Sequence, residues 1–208
     1  MSYKKEKLNE AIPSEYIQRI KRKNKIRYIF GLLIRFKKHL INTSICCYAR
    51  FKGASIGKNV VMPFSLAKKA NRNLVIGNDI IIETSDIDLR SKVVIKDHCI
   101  INKGVSIIRV SHYVDNSPEY RTKYYDDLVI CSYSWLATSC VILPSVTRIE
   151  TGSIIGASSV LVRNSNEDGV YSGNPAKELR KHEGRFDKLV VCSLKGGDYN
   201  YYKCVYKL

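Results

Sequence analysis

Aliphatic residues recur through the middle of the chain at a spacing that neither a helix nor a lone strand produces. Successive members are six residues apart, with steps of seven before Leu89 and Ile149 and longer gaps at residues 62–76 and 107–130. A helix repeats every 3.6 residues or so, and a strand about every two. The series consists of Ile56, Met62, Ile76, Ile82, Leu89, Ile95, Ile101, Ile107, Ile130, Leu136, Ile142, Ile149, Ile155 and Leu161.

Six residues for each flat side, repeated on three sides, give a triangular coil of about 18 residues in which each aliphatic points inward. Small or polar residues then take the corners, as Gly57 and Gly77 do after Ile56 and Ile76. The fourteen positions supply between four and five coils. We therefore predict a mainly β, single-stranded parallel β-helix; a sandwich of ordinary strands fits poorly, since period-two alternation and Asn-Gly hairpin turns are lacking.

Three further elements are predicted around the coils. Residues 14–41 have the apolar spacing of an amphipathic helix, with Ser14 as its N-cap. Residues 175–183 begin with a proline and are predicted to form a short C-terminal helix. The tyrosine-rich segment 188–208 is predicted to form two strands around Gly196 and Gly197. The expected division is a basic helical arm (1–52), a β-helix domain (53–172) with a protruding loop (109–128), and a C-terminal helix and tail (173–208).

The positive charge is concentrated in the arm. The chain has a formal net charge of +16, and residues 1–52 contain 14 Lys and Arg against three Glu. A basic amphipathic helix can lie on an anionic membrane, so residues 14–41 are a candidate for peripheral membrane contact; a helix that caps the first coil with a solvated basic face is the alternative. Basic charge without a zinc finger, helix-turn-helix or RNP-type motif does not indicate nucleic-acid binding.

Seven cysteines at irregular spacings, with no CxxC pair, indicate reduced thiols and no disulfide framework. The apolar run at residues 29–34 is too short for a secretory signal or a membrane span of roughly 20 residues. We therefore expect a cytoplasmic protein, with the inner face of the cell membrane as the place of any peripheral contact.

Four segments resemble, in order and spacing, the hexapeptide-repeat O-acetyltransferases, especially the branch that modifies colanic acid and capsules, with relatives among serine, maltose and virginiamycin acetyltransferases. They are residues 111–115 (SHYVD), 133–147 (YSWLATSCVILPSVT), 153–164 (SIIGASSVLVRN) and 171–181 (YSGNPAKELRK). The last contains the family's terminating Gly-Asn-Pro-Ala-Lys motif at residues 173–177. The resemblance implies a left-handed coil, acetyl-CoA as co-substrate, a carbohydrate acceptor and a homotrimer.

Acyl transfer to a hydroxyl needs a base, and histidine titrates near neutrality. Only His112, of four histidines, begins a loop outside the repeat, and the resemblance assigns the catalytic base to this histidine. Asp115 is a candidate for orienting its imidazole, although an exposed loop aspartate is more often simply solvated. Trp135 precedes inward Leu136 and should point outward, either as a wall of the acetyl-CoA or acceptor site or as ordinary packing at an interface.

The pantetheine arm of CoA can lie in a groove between coils, against small residues, and its phosphates need cations. The candidate residues for cofactor binding are Ala137, Gly156, Ala157, Arg163, Lys177 and Arg180. No metal is expected, and a zinc-dependent carbonic anhydrase on the same fold would need three histidines, of which the coils supply two, His98 and His112.

The sequence therefore predicts an acetyl-CoA-dependent O-acetyltransferase that modifies a sugar hydroxyl of a bacterial surface polysaccharide (capsule, O-antigen or exopolysaccharide) or of its precursor. Two alternatives stay open. One is an N-acetyltransferase acting on an amino sugar nucleotide. The other is a non-catalytic β-helix scaffold with a basic arm that binds membranes or polyanions.

Overall fold

The computed structural model describes residues 12–112, 123–184 and 189–205, with only the backbone at 112 and 123–125. The helices are α1 (Ser14–Lys21), α2 (Lys25–Phe51), α3 (Phe64–Lys69) and α4 (Tyr199–Val205), and a 3-10 helix spans Val191–Lys195. The strands are β1 (Ser55–Ile56), β2 (Leu74–Ile76), β3 (Ile81–Ile82), β4 (Val93–Ile95), β5 (Ile100–Ile101), β6 (Ser106–Ile107), β7 (Val110–His112), β8 (Lys123–Tyr125), β9 (Leu128–Ile130), β10 (Trp135–Leu136), β11 (Val141–Ile142), β12 (Arg148–Ile149), β13 (Ile154–Ile155), β14 (Val160–Leu161), β15 (Gly169–Gly173) and β16 (Ala176–Lys181).

The short strands wind into a three-sided parallel β-helix. The first face contains β1, β2, β4, β9 and β12; the second contains β3, β5, β10, β13, β15 and β16; the third contains β6, β11 and β14. On each face the predicted inward aliphatics pair directly, as Ile82, Ile101, Leu136 and Ile155 do on the second. The six-residue pattern is confirmed, because the residues that it places inward are the ones that pair between neighbouring coils.

One step of the predicted series is different. Ile87, not Leu89, forms the bridge to Ile107 on the third face. Both side chains are buried, and Leu89 lies just past the face at the corner. The step after Ile82 is therefore five residues, and the corner that follows is longer.

The corners between the first two faces share a backbone conformation that forms a column along the coils. Asn59, Asp79, His98 and Tyr133 all have φ between 54° and 62°, in the left-handed region, and Gly152 continues the column. Asn and Asp tolerate this region because their short side chains bond locally. His98 stacks on Tyr133 with ring centroids 4.8 Å apart, so it is part of a structural ladder.

The N-terminal arm forms two helices where one was predicted. α1 ends at Lys21, and α2 starts after Asn24, whose side chain accepts a hydrogen bond from the Arg27 amide at 2.8 Å. Asn24 is a favourable N-cap, so a new helix starts there. Ser14 is the first helical residue, and Pro13 takes the N-cap position without a side-chain bond. No described helix has the length and apolarity to cross a bilayer.

Two C-terminal predictions are wrong. Residues 175–183 do not form a helix: β16 pairs antiparallel with β15, with Ser172 opposite Lys177 and Val170 opposite Arg180. Within the predicted tail 188–208, the described residues 189–205 form no strand and contain the 3-10 helix and α4. Pairing with the exposed edge of β15 offers β16 hydrogen bonds that override its helix-forming composition.

The tail fastens the arm to the first coils. The buried carboxylate of Asp198 accepts hydrogen bonds from the Tyr16 hydroxyl at 2.5 Å and from Arg35 Nε at 2.7 Å. Tyr201 donates its hydroxyl to Asp79 at 2.6 Å. The arm, tail and coil thus share two buried acids.

Candidate functional site: the edge that carries the β7–β8 hairpin

The predicted loop leaves the coils at the edge between the third and first faces. We call this the hairpin edge; it comprises residues 88–92, the β7–β8 hairpin, and residues 143–147 and 162–165. The loop begins as an antiparallel hairpin in which Ser111 pairs with Tyr124 and His112 pairs with Lys123. His112 is thus the last residue of β7. Asp115 lies outside the described residues, and its predicted role stays a prediction.

A buried arginine holds the base of this hairpin. Arg109 is fully buried, and its guanidinium donates to the carbonyl oxygens of Asp126 (2.8 and 2.9 Å), Val146 (2.8 Å) and Pro144 (3.2 Å). The planar fork of arginine lets one side chain bind several carbonyls at once. Arg109 therefore joins the two ends of the hairpin to the next coil and fixes the backbone three residues before His112.

The sequence contained a signal for Arg109 that the repeat pattern did not use. It follows Ile107 and Ile108 at the point where the coil is interrupted. A charged residue there is easily taken for a solvated loop residue, since arginine is rarely fully buried.

A polar cleft borders the hairpin base. It has a volume of about 580 Å³ and is lined by Lys69, Asn71, Arg72, Asn73, Ile87, Asp88, Leu89 and Arg90. Asp88 accepts a hydrogen bond from the Arg109 amide at 3.3 Å, which connects the cleft wall to the hairpin. The side-chain hydrogen bonds of Arg90 lower the pKa of Asp88, so its carboxylate stays ionised near neutral pH.

The predicted small residues lie on another edge, between the second and third faces. We call this the small-residue edge; it comprises residues 102–104, 137–139 and 156–158. Ala137 and Gly156 lie one coil apart, and the Ala137 amide bonds to Ile155 O while the Gly156 amide bonds to Tyr171 O. Both amides thus bind neighbouring coils, so the donors left for a ligand are the next amides, those of Thr138 and exposed Ala157.

The three predicted cations lie on the last turns of the coil but not together. Lys177 is opposite Ser172, whose hydroxyl lies 3.3 Å from a Cβ placed on Gly156, so it lies beside the small-residue edge. Arg163 follows β14 and lies on the hairpin edge. Arg180 is near the other end of β16, opposite Val170. All three are exposed.

Trp135 lies on the outward side of β10, as expected. Its indole N–H donates to Asn102 Oδ1 at 2.8 Å, on the small-residue edge. The ring is partly buried and packs in a cluster with Ile81, Ile100 and Val191. The 3-10 helix therefore covers part of this outer face, which favours packing as one role of the tryptophan.

The other histidines have structural neighbours. His182 is within 2.6 Å of the Gly152 carbonyl oxygen through Nε2. His39 stacks on Tyr199 at 5.0 Å, and burial followed by the charge of Lys203 lowers its pKa. Within residues 12–112, 123–184 and 189–205, no group of three or more His, Cys, Asp or Glu side chains is arranged to hold a metal ion.

Comparisons with known proteins agree with this architecture. The described coil defines the fold as a parallel β-helix. WcaF of Escherichia coli K12, whose assignment as a colanic acid biosynthesis acetyltransferase is itself provisional, is 31% identical over 134 residues, which cover 64% of this chain and 71% of WcaF. The chain belongs to the hexapeptide-repeat acetyltransferase family.

Solved structures show the same fold. The hexapeptide-repeat acetyltransferase VCA0836 of Vibrio cholerae superimposes with a TM-score of 0.55 at 18% identity, covering 86% of this chain and 99% of that protein. A variant of AntD, an N-acyltransferase of Bacillus cereus in complex with dTDP and coenzyme A, has a TM-score of 0.51 at 15% identity, with 63% and 74% covered. No family model matches the chain.

Proposed function

We propose that the protein transfers an acetyl group from acetyl-CoA to a sugar hydroxyl of a bacterial surface polysaccharide or its precursor, in the cytoplasm. The observation that carries the proposal is the hairpin that places His112 outside the coils while buried Arg109 fixes its base. In a fold whose repeat residues stack to form the core, a reactive side chain can extend outward only where the repeat is interrupted. The kinship with WcaF, named for colanic acid biosynthesis, supports a sugar acceptor.

His112 is the proposed general base. Its imidazole accepts the proton of the acceptor hydroxyl while the oxygen attacks the thioester carbonyl, and backbone N–H groups at a coil corner stabilise the oxyanion. The imidazolium then protonates the departing thiolate. Asp115 is proposed to orient the ring, with a backbone carbonyl as the other group that can do so.

Acetyl-CoA is proposed to lie along the small-residue edge. Ala137, Gly156 and Ala157 leave this strip without bulky side chains, and Lys177 is the predicted cation beside it. Trp135 lies at its margin and is proposed as a wall of the site. Arg163 and Arg180, on other parts of the last coil, are proposed to contact the phosphates in the assembly. AntD, which shares the fold, was solved with coenzyme A.

A homotrimer with left-handed coils, as the family resemblance implies, is part of the proposal. Within one chain, the hairpin edge and the small-residue edge lie at different corners of the prism. A closed three-fold ring brings different edges of neighbouring prisms together, so the base of one subunit can face the cofactor strip of the next. A trimer would therefore bring together two parts of the proposed site that lie apart in a single chain.

The acceptor is proposed to enter through the polar cleft at the hairpin base. Arg72 is exposed at its mouth, while the side-chain amides of Asn71 and Asn73 both donate to the Leu89 carbonyl and so fix this polar wall. Wild-type protein, acetyl-CoA and a panel of sugars and oligosaccharides test the proposal through free thiol release and the mass of the product. We expect acetylation of a hydroxyl; thiol release with no member of a panel that includes surface-polysaccharide precursors would contradict it.

N-acylation is the second candidate, because AntD, which shares the fold, is an N-acyltransferase. The same panel separates the two. Amino sugar nucleotides in it should be poor acceptors if the proposal is correct, and a product acetylated on nitrogen would select the alternative. A protein without turnover would leave the scaffold interpretation.

A further inference from the structure

Helix α2 turns an apolar side to the outside of the protein. Between Ile26 and Ile41, eight large apolar side chains are exposed, among them Ile26 (69%), Phe30 (65%) and Leu33 (59%). At 100° per residue they occupy one arc of the helix. The eight are Ile26, Ile29, Phe30, Leu33, Ile34, Phe36, Leu40 and Ile41.

The opposite side of the helix is already in contact with the rest of the chain. Tyr28 stacks on Tyr202 with centroids 5.0 Å apart, and Arg35 pairs with Asp198. Further along, Cys46 and Ala49 are buried in the core of the coils. The exposed apolar arc is therefore not the side that caps the first coil, and a capping helix with only a solvated basic face does not describe this arm.

The charge around the apolar arc has one sign. Residues 16–78 contain no Asp or Glu. Lys25 and Arg27 are exposed at the two margins of the arc and Lys37 is exposed within it, and no ion pair is found for them among the described residues. An apolar strip with cations beside it matches a surface that combines an apolar interior with negative headgroups.

We propose that α2 docks the protein on the surface of a bilayer that contains anionic lipid, with the apolar arc in the acyl-chain boundary. From Ile26 to Ile41 the helix is about 23 Å long at about 1.5 Å per residue, which suits a helix lying in the plane of the interface. Two-fold pairing with the same arc of a second copy is less favourable, because it would bring their cations together without acids to neutralise them. Contact with a different surface of a neighbouring subunit is the outcome that a measurement of particle mass distinguishes. The inference does not depend on the proposed enzymatic function.

Flotation of the full-length protein with vesicles tests the proposal. Vesicles of phosphatidylcholine with phosphatidylglycerol should carry the protein, and vesicles of phosphatidylcholine alone should carry less. Leu33→Glu places a carboxylate in the arc and should lower the vesicle-bound to free ratio at least about tenfold. Lys37→Glu should weaken binding to the anionic vesicles and have a smaller effect with phosphatidylcholine.

Leu179→Glu is the matched control, because Leu179 is equally exposed (67%) but lies on β16, at the other end of the coils. It should float like the wild type. Failure of the wild type to float, or equal flotation of Leu33→Glu and wild type, would overturn the proposal. So would light scattering in which Leu33→Glu, but not Leu179→Glu, lowers the particle mass to that of a single chain, since that would place a second copy on the arc. Thiol release with a soluble acceptor should be the same in Leu33→Glu and wild type.

Discussion

Arg109 shows how one residue can determine the position of the loop that is proposed to supply the catalytic base. A buried guanidinium is tolerated because several carbonyl dipoles replace its water, and here those carbonyls come from both sides of the hairpin edge. The residue never needs to touch a substrate. It acts by fixing the backbone from which His112 extends.

Replacing Arg109 should therefore affect both stability and turnover. We expect Arg109→Ala to lower the free energy of unfolding by roughly 3 kcal/mol, since buried carbonyls lose their donors. The free energy of unfolding of Arg109→Lys should lie between those of the wild type and Arg109→Ala, because one ammonium group can donate to fewer carbonyls than a guanidinium. Urea unfolding gives the stability, and kcat measured on the folded fraction gives the positioning effect. An unchanged unfolding midpoint in Arg109→Ala would contradict the role.

The cysteines are predicted to differ sharply in reactivity. Burial raises the pKa of Cys46 to about 11 and that of Cys99 and Cys140 to about 12, so at pH 8 these thiols are protonated as well as shielded. Cys47 is exposed on α2. Iodoacetamide followed by peptide mass spectrometry should label Cys47 first. Labelling of Cys99 or Cys140 at the same rate as Cys47 would show that the core is open.

At the scale of elements, the tail is the joint between the arm and the coils. Asp198 receives Tyr16 from α1 and Arg35 from α2, while the 3-10 helix covers the second face at Ile81 and Ile100. Neither the arm nor the tail has an extensive core of its own. We infer that they are ordered together.

This joint should make stability fall at alkaline pH. Burial, followed by the negative charge of Asp198, raises the pKa of Tyr16 above its usual range. A tyrosine whose pKa is raised by folding contributes stability that is complete below about pH 10, where unfolded tyrosine ionises, and is lost as the pH rises further. Tyr16→Phe should lower Tm at pH 8 and make the decline of Tm between pH 9 and 11 shallower. A decline as steep as that of the wild type would contradict this assignment.

The coils could be predicted because their elements are defined by the sequence alone. A six-residue period places Ile76 on Ile95 and Ile142 on Leu161 without information about anything else. The interruption of that period also predicted where a loop leaves the coils, and the hairpin lies there. The position of Arg109 at this interruption was a signal, but its burial could not be predicted, since its carbonyl partners lie up to 37 residues away.

The two C-terminal predictions failed for different reasons. Residues 176–181 have helix-forming side chains, yet they extend because β15 offers an unpaired edge. In the tail, the tyrosines suggested strands, but Tyr202 and Val205 are three residues apart and both are buried on one side of a helix. This spacing is typical of a helix. The prediction of strands gave more weight to the β preference of tyrosine than to the spacing.

At the scale of the molecule, the arm contacts the coils at a different height along the coil axis from the small-residue edge. The arm contacts the first coil, where Arg50 donates to the carbonyls of Ile56 and Gly57. The hairpin leaves the third coil, and Ala137 and Gly156 belong to the fourth and fifth. Adjacent coils are about 4.8 Å apart, so the contact of Arg50 with the first coil lies roughly 15–20 Å along the coil axis from the small-residue edge.

The steady-state kinetics of His112→Ala test most directly whether His112 removes the acceptor proton. His98→Asn is the matched control, because asparagine tolerates the left-handed backbone that His98 adopts at its corner. With an acceptor identified from the panel, we expect His112→Ala to lose about 10²–10⁴ in kcat. Its dissociation constant for coenzyme A and its unfolding midpoint should be unchanged, and His98→Asn should retain kcat. A His112→Ala protein that turns over as fast as the wild type would contradict the account.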